Sequence, residues 1–101
     1  MILIHKETLS GTTSGGTLAI NTSNLKVGGL MSIVCVKPTS VDTIYDIKIV
    51  DNGGFTIYER TSETGELAEE VLLPVRDIHT ITISNTTKDE LFNLRLYIRE
   101  A

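Results

Sequence analysis

The sequence predicts an all-β protein, an antiparallel β-sandwich of jelly-roll or immunoglobulin-like type, with about eight short strands in a single domain spanning residues 1–101. Three observations carry that expectation. From Leu91 to Arg99, Phe92, Leu94, Leu96 and Ile98 alternate without a break against Asn93, Arg95, Tyr97 and Arg99. Successive side chains of a strand point to opposite faces, so this segment buries one greasy face and shows water a basic and aromatic one. The same period of two recurs through most of the chain, and turn-forming residues punctuate it at short intervals.

Taken in order, Met1 to Leu9 reads as a first strand, and Ser10-Gly11-Thr12-Thr13-Ser14-Gly15-Gly16 as a loop of small residues. Thr17 to Ile20 begins a short second strand, and Asn21 to Gly29 is a connection closed by two glycines. Leu30 to Lys37 is apolar on both faces, with Leu30, Val34 and Val36 on one and Met31, Ile33 and Cys35 on the other. That pattern suits a strand in the middle of a sandwich, and Pro38 stops it. Ile44 to Asp51 sets Tyr45, Ile47 and Ile49 against Asp46 and Lys48. Asp51-Asn52-Gly53-Gly54 tolerates positive φ, which predicts a hairpin returning through Phe55 to Arg60. Thr61 to Gly65 is a polar connection. Leu67 to Leu73 holds good helix formers, yet seven residues before Pro74 are short for a helix, so it is read as strand, with Pro74 as its end. Asp77 to Asn85 opposes Ile81 and Ile83 to Thr80, Thr82 and Ser84, and Asn85 to Glu90 turns into the last strand.

Composition excludes several functions. An apolar content of 41% with 22% charged residues belongs to a folded protein. A net charge of −4 argues against general nucleic-acid binding, which needs a basic excess to neutralise phosphates. Cys35 is the only cysteine, so no internal disulfide forms; in its apolar run it is expected to be a small buried hydrophobe. The absence of disulfide staples tilts toward assembly in a reducing cytoplasm. Met1 to Ile4 is too short for a signal-peptide core, and no run reaches the length that spans a bilayer, so no membrane partner is expected. The triplets Asn21-Thr22-Ser23 and Asn85-Thr86-Thr87 are read as accidents of a Thr-rich β protein, not glycosylation acceptors.

Candidate sites are few. Glu59, Glu63, Glu66, Glu69 and Glu70 form an acidic stretch without the loop order of a calcium site, which favours a solvated face. Asp46 and Asp51 flank a hairpin strand and could join Asp42 in a metal site, but Asp beside Asn-Gly is normally turn chemistry. His5 and His79 have no partner in a nucleophile motif, and Ser32 and Cys35 sit inside a strand instead of on an exposed elbow. Neither Gly15-Gly16 nor Gly28-Gly29 is followed by the Lys-Ser/Thr of a phosphate loop. No catalytic residue, cofactor or metal is therefore assigned. Arg95, Tyr97 and Arg99, which project from one side of the last strand, are the candidate interface, because Tyr and Arg are enriched where proteins meet.

The run Tyr45-Asp46-Ile47-Lys48-Ile49-Val50-Asp51-Asn52-Gly53-Gly54-Phe55, then Val71-Leu72-Leu73-Pro74, then Ile78-His79-Thr80-Ile81-Thr82-Ile83, resembles the bacterial pre-peptidase C-terminal domain and related jelly-roll modules. Arg76-Asp77-Ile78-His79 stands where that family has Gly-Thr-Tyr. In size, acidity and Thr-rich strands the chain also resembles small all-β virion structural proteins of tailed bacteriophages. That resemblance implies a non-enzymatic capsid decoration or cement protein, assembled in the host cytoplasm into the virion. Its partner would be the major capsid protein or another virion protein, and it would form a homo-oligomer. The jelly-roll resemblance implies the alternative, a carbohydrate- or protein-binding module of a fibre or exported enzyme. An aromatic platform for sugar would have to come from Tyr45, Phe55, Tyr58, Phe92 and Tyr97.

Overall fold

A computed structural model describes residues 3–99. Eight strands follow one another: β1 (Leu3–Thr12), β2 (Leu18–Asn21), β3 (Leu25–Pro38), β4 (Ile44–Val50), β5 (Thr56–Thr64), β6 (Leu67–Asp77), β7 (Thr80–Ser84) and β8 (Leu91–Arg99). They form two four-stranded antiparallel sheets, ordered β1-β8-β3-β6 and β2-β7-β4-β5. The connectivity follows from one long ribbon folded at its middle. β4 pairs with β5, β3 with β6, β2 with β7 and β1 with β8, and the paired ribbon crosses from sheet to sheet as it wraps. This is the jelly-roll form of the β-sandwich that the sequence predicts.

The tip of the ribbon is the Asp51 to Gly54 turn expected from sequence. The Asp51 carboxylate accepts from the backbone N–H groups of Gly53 and Phe55, both at 2.9 Å, so the turn is closed by its own first residue. β8 occupies the residues predicted, and Phe92, Leu94, Leu96 and Ile98 are all buried. Across the sandwich they meet Tyr45, Ile47 and Ile49 of β4 and Ile81 and Ile83 of β7. Each such side chain contributes about 1.5–3 kcal/mol by leaving water. Tyr45 and Phe92 pack edge to face with ring centroids 5.3 Å apart.

The middle strand departs from its simple alternation. Met31 faces Ile98 while Ile33 faces Tyr97, so β3 advances two residues where β8 advances one. Ser32 is the extra residue of a β-bulge. Beyond it the faces exchange, and Met31 joins Val34 and Val36 in the core while Ile33 and Cys35 turn outward, half-buried. Cys35 is thus not the fully buried hydrophobe the sequence suggests.

Several boundaries also differ. β1 continues through Ser10, Gly11 and Thr12, where a loop was expected; a Cβ on Gly11 would come within 2.8 Å of Leu18, so the missing side chain lets β2 pack there. The expectation for Met1 and Ile2 falls outside the described residues. β3 starts at Leu25 and includes Gly28, whose φ of +78° makes a second irregularity in the pairing with β6. β5 runs on to Thr64 because Ser62, at φ +55°, bulges without leaving the strand. Pro74 lies inside β6 and does not end it. β6 is an edge strand, so the proline's missing N–H costs no ladder bond. The stretch from Leu67 to Leu73 is strand, as read. β7 is shorter than predicted, bounded by Asp77 at φ +65° and Asn85 at φ +53°.

Candidate interaction face

The outer face of the first sheet is assembled by register. Because Phe92, Leu94, Leu96 and Ile98 of β8 point inward, Asn93, Arg95, Tyr97 and Arg99 point outward. Thr8 of β1 and Cys35 of β3 flank Arg95; Lys6 and Ile33 flank Tyr97; Lys37 lies beside Asn93 and Leu30 beside Arg99. β6 completes the face with Ala68 beside Cys35, Glu70 beside Ile33 and Pro74 beside Leu30. Between these stands Leu72, 61% exposed, and Arg76 follows at the next outward position.

Among the described residues the face therefore carries the cations Lys6, Lys37, Arg76, Arg95 and Arg99 against two carboxylates, Glu66 and Glu70, with aliphatic side chains between them. The opposite outer face has another character. There Ala19, Asn21, Thr80, Thr82 and Ser84 present short, mostly hydroxyl side chains, Lys48 stands opposite Glu59 on the neighbouring strand, and Asp46 beside Ser84 adds a carboxylate.

Within the basic face, Arg95 donates to the Tyr97 hydroxyl at 3.4 Å, which holds the guanidinium further in its charged form. Burial pushes the Cys35 thiol up, with the nearby Arg95 charge pulling the other way. The Arg99 Nε is shielded from water and has no hydrogen-bond partner among the described residues.

Arg95, Tyr97 and Arg99 thus share one face, and they do so on an interior strand of the sheet. The other candidates disperse. Glu69 accepts from the Tyr58 hydroxyl at 2.7 Å and from Arg60 at 2.8 Å, which lowers its pKa through the Arg60 bond first and the Tyr58 bond second. Glu70 faces outward on β6. Asp46 is held below its ordinary value by Asn85 and by the Ser62 backbone N–H. Asp42 pairs with Lys88 at 3.2 Å. Among the described residues no three metal-ligating side chains converge. His79 is buried in the β6–β7 connection, where its backbone N–H donates to the Thr22 hydroxyl at 3.0 Å. Ser32 donates to the Tyr97 carbonyl.

Sequence reasoning missed the other contributors to the face, Lys6, Lys37, Arg76 and Leu72. They are scattered along the chain, and only strand pairing collects them. It also missed Glu7, a buried carboxylate on β1 that accepts from the backbone N–H and hydroxyl of Ser23 and bonds His5. Burial raises its pKa, but these hydrogen bonds outweigh burial and leave it lowered.

No family model matches the chain, and no curated protein does. Among solved structures it is similar to a chain of infectious bursal disease virus, Gx strain, at 12% identity and a TM-score of 0.39, over 91% of this chain and 29% of that one. It is also similar to a chain of the Gt strain of that virus, at 9% identity and a TM-score of 0.41, over 93% of this chain and 31% of that one. The chain spans under a third of the length of either, and a likeness of this degree says nothing of what it does.

Proposed function

We propose that the chain is a non-enzymatic virion structural protein, a capsid decoration or cement protein that binds the major capsid protein as a homo-oligomer. The observation that carries this reading is the contrast between the two outer faces of the jelly roll. One is short-chained, with Lys48 against Glu59 and Asp46. The other combines Arg95, Tyr97 and Arg99 with exposed aliphatics and four-stranded support, the composition of a protein interface. Small-molecule sites are concave, whereas a broad sheet face suits a macromolecule. Jelly rolls serve viral capsids and lectins alike, so the fold supports the reading without deciding it.

The alternative, a sugar-binding module, draws support from Phe55, 71% exposed on the β4–β5 turn. It is the weaker reading because Tyr45, Tyr58 and Phe92 are buried and leave no broad aromatic platform. Mass spectrometry of purified virus particles tests the leading reading. The chain should be present in a fixed, high copy number relative to the capsid subunit, and its absence from the particles overturns the proposal.

A further inference from the structure

The geometry points to a specific occupant for the basic face of the first sheet: a folded protein surface rich in carboxylates. The inference deepens the virion reading and rests on it, in that the acidic surface is that of the assembled particle. Area and charge support it.

The molecule measures 36 by 25 by 19 Å along its principal axes, so its broad side approaches the roughly 800 Å² per partner of a standard stable interface. A second copy docking the same face by two-fold symmetry would set Lys6, Lys37, Arg76, Arg95 and Arg99 against an identical set. Like charges at that distance reject the pairing. The face holds a formal +3 in a chain of −4, so the remainder carries −7. An acidic partner therefore attracts this face and repels the others, which fixes the orientation of docking.

Nucleic acid is a poorer match. Leu30, Ile33, Leu72 and Pro74 separate the cations, and Tyr97 is the lone aromatic for stacking.

The test uses virus particles from which the protein has been released by salt, with rebinding followed by co-sedimentation. Arg95→Glu with Arg99→Glu, and separately Lys6→Glu with Lys37→Glu, should each weaken rebinding at least tenfold while thermal unfolding stays near that of the wild type. Arg95→Lys with Arg99→Lys should keep most of it. Amidating the particle's carboxylates with carbodiimide and ethanolamine should abolish binding of the wild-type protein. Normal binding by the Glu variants, or indifference to amidation, overturns the inference while leaving the virion reading intact. If the chain is absent from particles, the virion reading falls and carbodiimide cross-linking in the source cells decides the face. Cross-links from Lys6 and Lys37 to carboxylates of another protein, lost in the Arg95→Glu and Arg99→Glu variant, uphold it, and their absence overturns it. Self-association abolished by those same substitutions, or tight binding of a single-stranded oligonucleotide, also overturns it.

Discussion

The Tyr45 hydroxyl donates to the Gly65 carbonyl at 2.7 Å, tying the first strand of the central hairpin to the turn that leaves the second. The tyrosine ring lies fully buried against Phe92, so its polar tip reaches out of the core to the β5–β6 corner. Gly65 is fitted to that corner. It has φ +66°, and a Cβ there would lie 2.6 Å from the Val41 carbonyl oxygen. Its own N–H donates to the Thr43 carbonyl at 2.9 Å, so the β3–β4 connection is gathered into the same junction.

Tyr45→Phe should therefore destabilise by about 1–2 kcal/mol, the worth of a hydrogen bond whose loss leaves a buried carbonyl unpaired. Gly65→Ala should cost more, because the added carbon strains φ and collides with backbone that cannot step aside. Urea unfolding of both variants measures this. Equal stability of Gly65→Ala and wild type would show that the corner opens freely and that the junction is not a constraint.

A second prediction concerns acid. The Glu7 pKa is lowered in the folded protein, so its stabilisation is fully present above the ordinary carboxylate value of 4.5 and is lost as pH falls through the folded value below it. Protonation there weakens the ties from β1 to Ser23 in the β2–β3 connection. Glu7→Gln keeps the shape and removes the titration. Its urea midpoint should be lower than wild type at neutral pH, and the gap should close in acid. A constant gap from pH 6 to 2.5 would mean that Glu7 contributes through packing alone.

The third prediction concerns the open side of the sandwich, where β5 and β6 are the edges of different sheets. Arg60 lies 4.8 Å over the Tyr58 ring and bonds Glu69, to which the Tyr58 hydroxyl also donates. The clasp is partly exposed, so the Arg60–Glu69 coupling should be small and shrink with salt. A double-mutant cycle with Arg60→Met and Glu69→Gln reads the coupling directly. A large coupling that does not change with salt would instead mark a desolvated pair.

What the sequence disclosed and what it hid divide along locality. β8 was legible to the residue because its alternation is unbroken, and the turn at Asp51 was legible because Asp51 closes it from within. The bulge at Ser32 was not, since nothing in Ser32 itself announces that β8 will advance one residue while β3 advances two. Pro74 looked like a stop because its tolerance depends on β6 being an edge, which is a property of the sheet. For the same reason only one strand's share of the basic face was visible. Arg95, Tyr97 and Arg99 follow from one alternation, but Lys6, Lys37 and Arg76 reach them through pairings between distant segments.

The last prediction follows from the bulge. Because Ser32 reverses the alternation, Cys35 sits on the basic face beside Arg95 and Ala68, half-buried and free. Burial pushes its thiol up more than Arg95 draws it down, so at neutral pH it is almost wholly protonated and a slow nucleophile. Native protein should be alkylated slowly by iodoacetamide at pH 7 and progressively faster as pH rises, without prior unfolding. Cys35→Ser should cost about 0.5 kcal/mol or less, since a hydroxyl at this site is not enclosed in apolar surroundings. A thiol that stays protected until the protein unfolds would put Cys35 inside the core and the bulge elsewhere. A thiol that reacts at the rate of a free peptide at pH 7 would mean that the sheet leaves it fully exposed. Between those limits, protection of Cys35 on binding to a particle would report, without any substitution, that the face is covered.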